Sequence, residues 1–490
     1  MLRTTRATAG LAVMTLVLMT LTTGCGGDGG GGAGGGGGMP DDGGVDTPPS
    51  ADAGTSQEVV EDSLVTLSGT ATAGTNAVAS VAWSQTSGPV VSLSDANTDS
   101  PSFTAPKAPI QETETLEFLY TVTDTEGQTD SDSVSVVVSS DDFAVFLADK
   151  ETLGVQELYK SDVETGPITK LSGPLVAGGF VSSFAISPNG LYVAYVADQD
   201  TAGVLELYVA RADGSEVVKA SGSLVAGGSV AGLPMWAPDS SRIAYVADQD
   251  TDNVFEIYTS LPDGTGNAQI NGSLVAGGSV VGLISWAPDS SRIAYLADQN
   301  TDNVQELYTS LPDGTGNVKV NENLVAGGNV TAVEWAPDSS RIAYAADQDT
   351  DNVQEVYTSL PDGMGNVLIS GPLPAGASTT INPTIPDDWA PDSSLVSYLV
   401  FGVPQISGYA ASPDGSGSVE YTGAMDAGGT GLQNWPKWSP DASRLMYVAQ
   451  QDSITVELYL VRPDGTENEK ISGPLVAGGN VASGIFEWSP

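Results

Sequence analysis

Three short segments of this chain carry carboxylates at a spacing that metal chemistry could use. In the first, Asp248, Asp250, Asp252 and Glu256 occupy positions 1, 3, 5 and 9 of one loop. The set returns as Asp298, Asn300, Asp302 and Glu306, and again as Asp347, Asp349, Asp351 and Glu355. Calcium takes about six to eight hard oxygens, and alternate carboxylates in a tight loop converge on one ion with a backbone carbonyl at position 7. An EF-hand would add a glutamate at position 12, which is missing here. The pattern decays elsewhere: Asp198 and Asp200 lack the third acid. The competing reading is a soluble Asp-rich turn, copied by duplication, whose glutamate simply opens the next strand. Calcium is the one cofactor that the sequence offers.

Composition excludes most other chemistry. The 490 residues include no histidine and one cysteine, so His-based triads, His ligands, disulfides and Cys-rich zinc sites are ruled out. No Gly-x-Ser-x-Gly elbow is present. Lys and Arg number 16 against 61 Asp and Glu, a formal net charge of −45. Such a surface repels nucleic acid and anionic headgroups, and no nucleic-acid partner is expected.

The acidic loops belong to a repeat. Trp236, Trp286, Trp335, Trp389, Trp438 and Trp488 stand 50, 49, 54, 49 and 50 residues apart, and Ile186 holds the same place 50 residues before Trp236. Each unit reads Trp-Ala-Pro-Asp-Ser-Ser, Arg-Ile-Ala-Tyr, the acidic stretch, Glu-Leu-Tyr and Pro-Asp-Gly. Four short strands divided by turn signals make one blade of a β-propeller. The Trp strand and the Ile-Ala-Tyr-type strand each occur seven times, which predicts seven blades over 141–490. The count also predicts a ring closed by the last strand, at Trp488, joining the strands that open at Phe143. With the strands named A to D, parity puts the acidic B–C loops on one face with D–A loops such as Leu274 to Gly278. The Pro-Asp turns lie opposite and receive no function. The Trp residues are expected in the core. The unit is similar to the TolB-like branch of WD-type propellers, whose repeat centres on Trp-Ser-Pro-Asp-Gly. The loops resemble the calcium hairpins of integrin-type propellers, which imply the same four ligand positions.

The sixth unit departs from the rest. Its D–A segment, Gly371 to Asp388, is longer, and Val400-Phe401-Gly402-Val403-Pro404 replaces the acids. Phe401 and Val403 are candidate partner-binding residues; the alternative buries Phe401 in strand B.

Residues 48–140 alternate with period two, as in Leu116, Phe118, Tyr120 and Val122, which predicts a β-sandwich. Trp83-Ser84-Gln85, Pro101-Ser102-Phe103 and Tyr120-Thr121-Val122-Thr123-Asp124 with Gly127 resemble a PKD-type, Ig-like module. Such modules are usually spacers or adhesive units in exported proteins, and a spacer is expected here. Upstream, Arg3 and Arg6 precede an apolar run, Leu11 to Leu21, too short to span a bilayer. Leu21-Thr22-Thr23-Gly24-Cys25 resembles a bacterial lipobox. That implies a leader over 1–24, lipid attachment at Cys25 and a tether over 25–47. Gly26 after the cysteine implies the outer membrane. A non-lipidated leader with an incidental thiol is the alternative.

The expected fold class is all-β: a seven-bladed β-propeller preceded by an Ig-like β-sandwich. The expected function is a cell-envelope lipoprotein acting as a non-enzymatic binding or scaffold module. Its expected partner is an envelope protein or a glycan, and the chain is expected to be monomeric. The alternatives are a Tol-Pal-like envelope component and a carboxylate-dependent glycan-active enzyme.

Overall fold

The computed structural model describes residues 46–108, 113–140, 142–162, 167–382, 387–403, 405–423, 425, 430–451, 455–476, 479–482 and 486–488. Every regular element among them is a strand. The chain divides into two compact units, one built mainly on residues up to Val137 and the other running from Val138.

The first unit is the sandwich. Strands Gln57–Val60, Thr129–Ser139, Thr113–Asp124 and Val78–Ser87 form one sheet in that order. Two-stranded sheets of Ser50–Asp52 with Thr70–Thr72, and of Leu64–Thr66 with Ser102–Thr104, complete it. Period-two alternation fixes the inner face: Leu116, Phe118, Tyr120 and Val122 are fully buried, as are Val136 and Val138. Trp83 packs on Tyr120 with ring centroids 4.7 Å apart.

The second unit contains seven repeated sheets among the described residues. Blade 3 shows the pattern, with strands Val230–Trp236, Ile243–Ala247, Glu256–Ser260 and Ala268–Gln269 antiparallel in sequence order. Strand A begins blades 2 to 7, and the A strands of neighbouring blades touch, Val181–Ile186 against Val230–Trp236 and Val280–Trp286 against Val330–Trp335, which makes A the inner strand. Blade 1 has three strands, and its edge strand Phe143–Ala148 pairs with Glu157–Asp162.

Repeated hydrogen bonds tie blade to blade. The Trp indole of each strand A donates to the carbonyl one residue before the corresponding position of the preceding blade: Trp236 to Ala185, Trp286 to Met235, Trp335 to Ser285, Trp389 to Glu334 and Trp438 to Asp388. Trp488 makes the same bond to Lys437, at 3.1 Å, and so holds the inner-strand place that follows blade 7. All but Trp488 are at most 9% exposed, so burial of each indole contributes roughly 2–3 kcal/mol. The Pro-Asp turns, read from sequence as plain turns, form a second tie. Ser240, Ser290, Ser339 and Ser393 accept the amides of Asn189, Asp239, Asp289 and Asp338 in the preceding blade.

Candidate functional site

The acidic loops and the Leu-Val-Ala-Gly-Gly loops share a face, and they are bonded to each other. The amides of Val225, Val275 and Val325 donate to the carbonyls of Gln249, Gln299 and Gln348. The first carboxylate of each loop is the fastener. Asp248 is 3% exposed; its Oδ1 accepts the Ser229 amide at 2.5 Å and its Oδ2 accepts the Asn253 amide at 3.0 Å. Asn253 has φ of 62°, the left-handed region that Asn tolerates, which turns its amide back toward Asp248. Asp298 does the same for Ser279 and Asn303, and Asp347 for Asn329 and Asn352. Asp198 binds the Phe180 and Gly203 amides, so this role persists in blade 2, where the third acid is missing.

The remaining carboxylates turn elsewhere. Asp250 and Glu256 both accept the Tyr258 hydroxyl, at 3.0 and 2.9 Å. Asp349 and Glu355 share Tyr357 in the same way, at 3.3 and 2.9 Å. Burial and then the Asp349 charge raise the Glu355 carboxyl above its ordinary range. Glu306 accepts Tyr308 at 2.7 Å, Lys319 Nζ at 2.7 Å and the Asn300 amide group at 3.2 Å. Position 5 lies against the neighbouring loop: a Cβ on Gly227, at φ +94°, would stand 2.6 Å from Asp252 Oδ1, and Asp302 and Asp351 crowd Gly277 and Gly327 likewise. The side chains of each loop therefore divide three ways: position 1 takes two backbone amides, positions 3 and 9 share the strand tyrosine or each other, and position 5 lies against the neighbouring glycine. Among the described residues, no group of three or more His, Cys, Asp or Glu is placed to hold a metal ion. As they stand, the loops do not fit a calcium ion; their first carboxylate is a structural acceptor for two amides.

The inner strands hold the features that the repeat pattern concealed. A cavity of about 700 Å³ is lined by Phe184, Leu233, Pro234, Met235, Phe255 and Ile284, with small residues between them. Strand Val230–Trp236 breaks register between Ala231 and Met235, and Leu233 is left 66% exposed. Among the described residues, no titratable side chain lines this cavity.

Further round the ring, the residue before the Trp becomes charged: Ala185, Met235 and Ser285 give way to Glu334, Asp388, Lys437 and Glu487. Glu334 and Asp388 are 4% and 1% exposed. Glu334 accepts the backbone amide of Asp388, which brings the two residues together, and burial raises both carboxyls, Glu334 to about 8. The sequence signal was available in the residue preceding each Trp, but it lies outside the acidic-loop pattern.

Blade 6 differs from its expected anatomy. The Thr379 amide donates to the Gln354 carbonyl, just as Val330 does to Gln305 one repeat earlier. Strand A thus starts on schedule at Ser378–Thr380, and Trp389 bridges to Val396 at its far end. The extra residues therefore fall between Thr380 and Asp388, after strand A has begun, rather than lengthening the D–A loop. Phe401 is half-buried against the core of Leu399, Leu432 and Trp438, packed rather than presented. Val403 ends the strand Val396–Val403 and pairs with Gln405. Cys25, the leader and the tether up to residue 45 lie outside the described residues.

Comparison with known families agrees with this architecture. Residues 53–138 match the K319L-like PKD domain, and residues 156–396 match the lipoprotein LpqB beta-propeller domain. The described elements are all β, with a PKD-type domain followed by a β-propeller domain. No curated protein matches it. Among solved structures, the oligogalacturonate lyase of Vibrio parahaemolyticus is 15% identical over 65% of this chain and 86% of its own, with a TM-score of 0.34. A protein described as TolB from Agrobacterium tumefaciens is 18% identical over 43% and 73%, with a TM-score of 0.28. The Porphyromonas gingivalis dipeptidyl peptidase 4 is 12% identical over 67% and 51%, with a TM-score of 0.45. At these values the likeness does not extend to activity.

Proposed function

We propose that this chain is a bacterial cell-envelope lipoprotein, acylated at Cys25, whose propeller binds a partner without chemistry. The match to the lipoprotein LpqB propeller domain and the lipobox-like Leu21-Thr22-Thr23-Gly24-Cys25 support the envelope assignment. The binding role rests on the apolar cavity at the inner strands of blades 2, 3 and 4. Its side chains offer area and no hydrogen bonds, which suits the apolar side chains of a protein better than the hydroxyls of a glycan. The enzyme alternative would need two carboxyls that a substrate can reach. The one pair that stands apart, Glu334 and Asp388, is buried and bonded to backbone, out of a sugar's reach.

A photo-activatable residue placed at Leu233 of the tagged protein in its own cells tests the reading. A discrete adduct with an envelope protein is expected at Leu233 and not at Val476, which is still more exposed. Equal adducts at both positions, or none, would count against it.

A further inference from the structure

We infer that Glu334 and Asp388 form a proton-held latch between the inner strands of blades 5 and 6, which loosens as pH rises. The latch is built from both strands. Glu334 ends strand Val330–Trp335 just before its Trp, and its two oxygens accept the amides of Asp388 and Trp389 at 3.3 and 3.4 Å. The Trp389 indole returns a bond to the Glu334 carbonyl. Asp388 holds the same place before Trp389 in blade 6; it accepts the Asn382 amide on Oδ2 and the Ser397 hydroxyl, at 3.5 Å, on Oδ1.

Ionised carboxylates only accept hydrogen bonds, and these two are both nearly closed to water, with Glu334 holding the amide of Asp388 itself, so one proton on the pair relieves the cost of burying two charges. Removing it would set two negative charges side by side in a site with almost no exposure to water. The charged and titratable groups around the pair do not remove that cost. Asp387, the preceding residue, adds negative charge, and its own carboxyl is raised by burial. Lys437, on the next inner strand, forms an ion pair with Glu487. Tyr421, just after the fourth strand of blade 6, is fully buried and stays neutral.

The sign follows from proton counting. The folded pair keeps a proton that the unfolded chain releases near pH 4–5, so folding weakens as pH climbs from there to about 8. The folding constant falls by about tenfold per pH unit for one such proton. The chain has no histidine, which leaves this window, among the described residues, to raised carboxyls: this pair, Asp387 and Glu355. The inference is independent of the binding role proposed above.

The test is the urea midpoint of the full chain from about pH 5.5 to 9, for wild type, Glu334→Gln and Asp388→Asn. Amide exchange of the segment holding Asp388 and Trp389 is followed alongside. Wild type should lose midpoint steadily, whereas Glu334→Gln, which keeps a donor toward Asp388 and carries no proton to lose, should be flatter. Exchange in the wild-type segment should rise faster than the intrinsic tenfold per pH unit. Equal slopes in wild type and Glu334→Gln would overturn the inference. If neither variant folds, wild-type exchange that follows only the intrinsic pH dependence would overturn it as well.

Discussion

Replacing Asp248 with alanine should damage the propeller far more than replacing Asp252, although both carboxylates belong to one acidic loop and both changes remove one charge from −45. Asp248 holds the partly buried Ser229 amide at 2.5 Å and the Asn253 amide at 3.0 Å. A hydrogen bond to a charged group contributes about 1.5–3 kcal/mol, and the more exposed Asn253 amide can recover part of its loss from water. The sum is about 2–4 kcal/mol for Asp248→Ala. Asp252 is exposed and lies against Gly227, so Asp252→Ala should change stability by at most about 0.5 kcal/mol. With a urea dependence of about 1–3 kcal/mol per molar, the first variant should unfold roughly 1–2 M earlier and the second at nearly the wild-type midpoint. Asp248→Asn should fall between them, because its amide keeps one acceptor and turns a donor toward an amide. Equal losses at Asp248 and Asp252 would refute the division of labour and restore a shared ligand set.

Other outcomes follow from the same geometry. Millimolar calcium, added or chelated, should leave the melting temperature unchanged, since a ligand that binds only the native state must raise it; a rise of several degrees would mean that the carboxylates reconverge. Gly408→Ala should cost about 1–3 kcal/mol in urea unfolding, because the new Cβ would stand 2.2 Å from the Tyr421 hydroxyl; Tyr421→Ile in the same chain should recover most of it. Cys25→Ala should release the protein from the membrane fraction and abolish incorporation of a labelled fatty acid.

The sandwich and the blades were legible because burial follows simple periods. Leu116, Phe118, Tyr120 and Val122 alternate as a half-buried strand must, and the Trp spacing counts blades directly. The shared face of the acidic and Gly-Gly loops followed from strand parity, and the Val225 to Gln249 bond realises it. The roles inside the loop were not legible. Alternate spacing says which carboxylates could converge, but it does not reveal that Ser229 and Tyr258 compete for them. The inner-strand cavity was hidden for a related reason. Leu233, Pro234 and Met235 read as ordinary strand residues, and only the broken register at Ala231 opens the space beside them. The extra residues of blade 6 were visible in the Trp spacing of 54. Their place within strand A depended on which amide meets the Gln354 carbonyl, which spacing does not specify.

The central claim is that the propeller recognises an apolar surface at the inner strands of blades 2 to 4. Titration of the purified full chain with a neutral apolar fluorophore, 1-N-phenylnaphthylamine, tests it most directly. The account predicts saturable binding of one probe per chain, weakened about tenfold or more by Leu233→Asp and by Met235→Asp in protein that remains folded. Absence of saturable binding, or binding that both substitutions leave unchanged, would contradict it.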